Sequence, residues 1–249
     1  MRALVTNDDG IGSPGLAALA RGAVAHGWTV VVAAPAEEAS GTSAGLWAAG
    51  TAGGDGRVAV ERRELPDLPG VPAHAVAAHP AFIALAAAQG AFGEPPEVVL
   101  SGVNRGANIG RAVLHSGTVG AALTASLNGA RALAVSLDVG LEPPPEPHWD
   151  TAVTVAAALF DRLAALPGAA VLNLNVPDRP EVGAPRRAGL AEFGSVRSRI
   201  SGDDDGGISL AAVVVEGELP PGSDARLLAE GHPTVTALRS VAEDPGVEF

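Results

Sequence analysis

The chain has 249 residues with a formal net charge of −12, and its hydrophobic fraction of 47% can bury a sizeable core although aromatics make up only 3%. That acidity excludes a general nucleic-acid backbone binder, which needs a basic face, and the absence of cysteine excludes a disulfide framework or a thiolate metal site. Lysine is also absent, so all 16 basic residues are arginine.

In chain order, Arg2–Thr6 is a short β-rich run and predicts the first strand. Ser13-Pro14 predicts a helix start, because serine caps free N–H groups and proline at the first helical position loses no hydrogen bond. The helix runs through Leu16, Leu19 and Val24 to a stop at Gly27. Trp28–Ala34 is apolar almost throughout, as suits a parallel strand covered on both faces. Strands are also expected at Val58–Glu61, Ala73–Ala77, Val98–Ser101, Leu133–Leu137 and Val171–Asn175. Helices are expected at Pro80–Ala88, Thr118–Leu127 and Trp149–Ala165. This alternation predicts a doubly wound, mostly parallel α/β sheet over residues 1–185.

From residue 186 to 249 the rhythm changes, and a β-rich extension engaged in oligomer contacts is expected. Gly194–Gly207, with "SGDDDGG", predicts a mobile polar loop; Ile208–Glu216 and Thr234–Leu238 predict strands and Asp224–Ala229 a short helix. "GTAGGDG" at 50–56 reads as another loop, and "LEPPPEP" at 141–147 as a stiff surface connection. The first residues read as a strand rather than a secretory signal, and every apolar run is interrupted well short of a membrane span, so a soluble cytoplasmic protein is expected.

In such a sheet, ligands bind beyond the carboxyl ends of the strands. Three segments meet there: "NDDG" at 7–10, "APAEEASGTSAG" with Ser40 and Gly41, and "SGVNRGANIG" at 101–110 with Asn104. Asp8 and Asp9, side by side, repel each other unless a cation lies beside them. Ser40 and Asn104 are expected at the same edge and add hard oxygen donors. Oxygen ligation suits Mg²⁺, Mn²⁺ or Ca²⁺. Ser116, Gly117 and Thr118 fall at a helix start, where free N–H groups and the dipole favour an anion, although an ordinary helix cap has the same composition. An acidic chain can take a phosphate there if a divalent ion supplies the positive charge.

Together "LVTNDDGIGSPG", "SGTSAG", "SGVNRGANIG", "HSGTVGAAL" and "LNLNVPD" resemble the SurE family of survival proteins across roughly residues 1 to 178, and "LLAEGHPTVTAL" resembles it more weakly. The resemblance implies a Rossmann-like core and a metal-dependent phosphomonoesterase acting on nucleoside 5′- and 3′-monophosphates. It implies one divalent cation per subunit, Mg²⁺ or Mn²⁺, on Asp8, Asp9, Ser40 and Asn104, with catalysis centred on Asp8 and Asp9. The phosphate-contacting segment would fall on Ser116, Gly117 and Thr118 with Asn108 nearby, and Gly41 and His115 would face the substrate. A homodimer that exchanges C-terminal elements, or a tetramer built from it, is implied as well.

The sequence departs from the family pattern in three places. Where the family carries a stretch like D-R-N-R-S-G, this chain has Ala36-Glu37-Glu38-Ala39-Ser40-Gly41. His115 replaces the usual tyrosine before S-G-T, and His79-Pro80 replaces a Thr-Pro pair. His115 either packs in the tyrosine's place or, since histidine changes charge near neutral pH, protonates a leaving alkoxide. The ligand positions are intact while the substrate-facing loop is altered. A phosphatase for another small metabolite, and a binding protein without turnover, are therefore the alternatives to a nucleotidase.

Overall fold

Parallel strands covered on both faces need almost unbroken apolar sequence, and the centre of this chain supplies it. The structure, a computed structural model, describes residues 1–49, 56–192, 196–202, 208–214, 218–243 and 246. The elements are β1 (Arg2–Thr6), α1 (Pro14–Ala25), β2 (Thr29–Pro35), β3 (Val60–Arg63), β4 (Ala73–Val76), α2 (Pro80–Ala88) and β5 (Val98–Arg105). A 3-10 turn (Gly110–His115) leads into α3 (Gly117–Leu127), β6 (Arg131–Asp138), α4 (Trp149–Ala157), α5 (Phe160–Ala165) and β7 (Val171–Pro177). Then come β8 (Arg186–Arg187), β9 (Val196–Gly202), β10 (Ile208–Val214), α6 (Asp224–Ala229) and β11 (Thr234–Leu238).

Nine strands form one sheet in the order β3-β4-β2-β1-β5-β6-β7-β11-β8. From β4 to β7 all neighbours run parallel; β3 and β11 pair antiparallel with β4 and β7. The chain winds outward one way from β1 to β2 and the other way from β5 to β6, so the order reverses between β1 and β5. That switch point leaves a crevice at the carboxyl ends of these two strands. Two apolar clusters cover the two faces of the sheet. One gathers Leu16, Leu19, Val155 and Phe160 from α1, α4 and α5; the other gathers Ile83, Ala84, Val119 and Ala122 from α2 and α3.

Several boundaries differ from the sequence expectation. Residues 149–165 form two helices, not one: Phe160 is fully buried and stacks on Trp28 at 4.7 Å, and the chain turns at Ala158 and Leu159 to seat it. No breaker residue announces this turn. β5 runs on to Arg105, so Asn104 is a strand residue. Val196–Gly202, expected within a loop, is a strand paired antiparallel with Ile208–Val214, apart from the main sheet. Of the loops expected at 50–56 and 194–207, residues 50–55, 194–195 and 203–207 lie outside the described residues. Among the described residues no helix is long and apolar enough to cross a membrane.

Besides the pairing of β11 with β7, a carboxylate ties the C-terminal segment back to the core. Asp224 is fully buried and accepts backbone N–H bonds from Gly110 (2.7 Å), Ala191 (2.8 Å) and Ala225 (2.8 Å). It thereby fixes the start of the 3-10 turn, 114 positions away in sequence. Substituting Asp224→Ala strands those donors, and the expected loss is about 3 kcal/mol of unfolding free energy. For a chain of this length that is a fall of roughly 6–12 °C in Tm, read by thermal unfolding.

Candidate metal and phosphate site

The crevice starts where β1 ends. Asn7 donates its amide to the Gly10 carbonyl (3.0 Å), and Gly10 closes the turn with φ +96°, a conformation that glycine adopts without strain. The turn presents Asp8, 4% exposed, and the partly buried Asp9. Backbone bonds from Ala39 to the Asp8 carbonyl (2.7 Å) and from Ile11 to the Pro35 carbonyl (2.9 Å) hold the loop after β2 against this turn.

β5 delivers the next donor through a bulge. Its register against β6 shifts between Ser101 and Asn104. Gly102 sits at φ +136° with the Val135 carbonyl where a side chain would be, so only glycine fits. A bulge re-aims the residues that follow it. Asn104 donates its amide nitrogen to the Gly106 carbonyl (2.7 Å), which leaves its carboxamide oxygen as the other end of the group. The Arg105 N–H bonds Asp9 at 3.3 Å.

The third wall is the amino end of α3. Ser116 caps the helix, accepting from the Val119 N–H (3.1 Å). Thr118 does not face the cleft: it is fully buried and donates its hydroxyl to Asp8. Gly117 is buried too, and a Cβ there would lie 2.8 Å from Asp8 Oδ2 and 2.9 Å from Thr42 Oγ1. Thr118 therefore holds the Asp8 carboxylate and Gly117 leaves room for it, while Ser116 and His115 line the cleft. His115 is exposed rather than packed away. Asn108 also lines the cleft, but its side chain is committed to Ser136 Oγ (2.9 Å).

The cleft has a volume of about 750 Å³ and brings together Asp8, Asp9, Glu38, Ser40, Gly41, Asn104 and Arg105. Ser40 donates its hydroxyl to Glu38 (2.6 Å) and keeps its lone pairs. Burial raises the Asp8 carboxyl above its usual range, against the hydrogen bond from Thr118. Asp9 is pushed up to about 6 by burial first and then by the Asp8 charge, and Glu38 adds to both. The fold therefore holds two adjacent carboxylates where their charge is disfavoured. Among the described residues no three acidic or imidazole groups form a metal cluster, so an ion held here would have to draw on two carboxylates plus neutral oxygens such as those of Asn104 and Ser40. That donor set is hard, oxygen-only and partly desolvated, and it fits Mg²⁺ or Mn²⁺.

Sequence reasoning missed the groups that hold these loops. Asn173 and Asn175, two apart on β7 and so on one face, both donate to the Asn108 carbonyl (2.8 and 2.9 Å), and Asn175 accepts from the Asn108 N–H (2.7 Å). Polar residues alternating in the apolar run "LNLNVPD" were the signal.

A model of the family described as "Survival protein SurE" matches residues 3–195. The chain belongs to the SurE family. The 5′-nucleotidase SurE of Gloeobacter violaceus is 34% identical, with 99% of this chain and 93% of that protein covered. The 5′-nucleotidase SurE of Azorhizobium caulinodans is 35% identical, with 96% and 92% covered. The crystal structure of a SurE protein from Aquifex aeolicus superposes with a TM-score of 0.76 at 24% identity, covering 96% of this chain and 93% of that one, and so shares the fold.

The electrostatics give a test that needs no substrate. Asp9 is pushed up to about 6 in the fold, against 3.8 for an unperturbed aspartate. Between those values the folded chain holds a proton that the unfolded chain has lost, so stability falls as pH rises from about 4 to 6. Asp9→Asn removes that loss. In chelator at pH 7.5 its Tm is expected to rise by about 2–4 °C, roughly one kcal/mol after solvent screening, and Mn²⁺ is expected to stabilise wild type but not the variant.

Proposed function

We propose that this SurE-family protein is a metal-dependent phosphomonoesterase that hydrolyses nucleoside monophosphates to nucleoside and phosphate. The observation that carries the reading is the convergence of Asp8 and Asp9 from the end of β1 with Asn104 from the bulged end of β5 in one cleft. The names of the relatives support a nucleotide as substrate.

Asp8, Asp9, Asn104 and Ser40 would hold the ion. When bound, a divalent cation supplies positive charge against phosphoryl oxygens and makes water more acidic. The protein's own groups do the rest. Thr118 fixes the Asp8 carboxylate. The amino end of α3, reached at Ser116, favours the phosphate through its dipole. Arg105 carries the guanidinium on the cleft wall and steers the anion. His115, exposed in the cleft, is placed to hand a proton to the leaving oxygen. The β9–β10 ribbon stands apart from the main sheet, and a lone two-stranded ribbon is marginal in water. We assign it to subunit contact in a homodimer.

The test is phosphate release from nucleoside 5′- and 3′-monophosphates and sugar phosphates. Turnover of nucleotides is expected, abolished by EDTA and restored by Mn²⁺ or Mg²⁺. Asp9→Asn is expected to lower kcat/KM by roughly 10³-fold, on the scale of a transition-state electrostatic contact. Thr118→Val, which frees Asp8, is expected to weaken Mn²⁺ binding by about 10–100-fold. One good sugar phosphate beside poor nucleotides would move the assignment to another metabolite, and no phosphate release from any substrate would overturn it.

A further inference from the structure

The cleft is lined by two chemically different sets of residues: Asp8, Asp9, Ser40 and Asn104 present oxygen, while Val139, Gly140, Pro143 and Trp149 present a mostly apolar surface. A free phosphate needs only the first. A phosphate monoester with a flat, poorly hydrated leaving group needs both, and about 750 Å³ lies within the usual size of a small-ligand pocket.

Trp149 is set in place by its neighbours. His148, the residue before α4, gives both its N–H (2.8 Å) and its ring Nδ1 contact (2.7 Å) to Oδ1 of Asp178, whose side chain is 5% exposed. On its other side the indole lies against the first turn of α1, where a Cβ on Gly15 would come within 3.0 Å of Trp149 Cζ3. The ring is only partly buried; it lines the cleft and also, with Arg21, Asp67 and Thr151, a neighbouring groove. Pro143 extends that wall from the run "LEPPPEP", whose prolines keep the backbone stiff. An aromatic plane already held in place loses little freedom on stacking, which is what preorganised recognition needs.

We propose that Trp149, flanked by Val139, Gly140 and Pro143, is the platform on which the nucleobase of the leaving nucleoside stacks. This rests on the phosphomonoesterase reading and names the part of the site that selects a nucleotide over a sugar phosphate. The competing aromatic is Trp47. It is 50% exposed and packs against His79 at 5.0 Å in a groove that shares Glu38 and Ser40 with the cleft but is not lined by Asp8, Asp9 or Asn104. Trp149 lies in the cleft that holds those ligands, and the base belongs there.

The experiment compares AMP with ribose 5-phosphate, with Mn²⁺, in wild type, Trp149→Leu, Trp149→Phe and Trp47→Leu. Trp149→Leu is expected to lower kcat/KM for AMP by roughly 10-fold, the scale of one base–aromatic stack, while ribose 5-phosphate changes less than about 2-fold on the same principle. Trp149→Phe is expected to keep most of the AMP rate, and Trp47→Leu to leave both substrates as in wild type. Equal losses on both substrates, or no loss, would overturn the proposal, as would a selective AMP loss in Trp47→Leu. If wild type hydrolyses neither substrate, quenching of tryptophan fluorescence by AMP with Ca²⁺ decides the platform separately; the phosphomonoesterase reading itself fails only if no phosphate ester is turned over. Quenching must then persist in Trp47→Leu and disappear in Trp149→Leu. If Trp149→Leu does not fold, Trp28→Phe combined with Trp47→Leu, which leaves Trp149 as the sole tryptophan, decides: loss of quenching there overturns the proposal, and persistence upholds it.

Discussion

Two carboxylates on consecutive residues, drawn out of water at the end of a buried strand, are the constraint around which this molecule is arranged. Burial and mutual repulsion both favour the protonated form, so the pair is unfavourable by itself at neutral pH. The surroundings offset that in part. Thr118 bonds Asp8 from α3, the Arg105 N–H bonds Asp9 from β5, and Gly117 lets α3 approach closely enough for the first of these. Each contact also places an element. The position of α3, the end of β5 and the loop after β2 are fixed against the same pair, so the feature that destabilises the strand end also organises it.

Much of this was legible in the sequence because the signals are local. Apolar runs bounded by glycine gave the parallel strands, and Ser13-Pro14 marked a helix start with proline at its first position. The strand-end segments with Asp8, Ser40 and Asn104 do share one cleft. What local signals missed was set by packing. The division of residues 149–165 follows from seating Phe160 on Trp28, two residues far apart in sequence. The inward turn of Thr118 follows from the close approach at Gly117. A serine, glycine and threonine at a helix start look the same whether they face an anion or a neighbouring carboxylate.

The loops at the cleft are held less by each other than by residues behind them. Asn173 and Asn175 grip the Asn108 carbonyl from β7, and Asp224 holds the Gly110 N–H from α6. Buried polar groups of this kind are favourable only when fully paired, and then they specify one arrangement. The segment 101–110 is thus pinned near both ends: at Asn104 and Arg105 by the strand end, and at Asn108 and Gly110 by the core and the C-terminal helix. Changes well away from the cleft therefore reach it through short hydrogen-bonded paths.

Charge sets the order of events on the proposed reading. The chain carries −12 overall, and Arg105 is the arginine on the cleft wall against Asp8, Asp9 and Glu38. Without an ion the local field repels a phosphate monoester. A divalent cation reverses that, and by linkage the phosphate must tighten the ion by the same factor as the ion tightens the phosphate. The amino end of α3 already faces a carboxylate, since Thr118 in its first turn bonds Asp8, so its dipole favours an added anion most once that charge is neutralised. On that reading substrate recognition is divided in two: the ion and α3 would accept any phosphoryl group, and discrimination among monoesters would fall to the uncharged wall of the cleft.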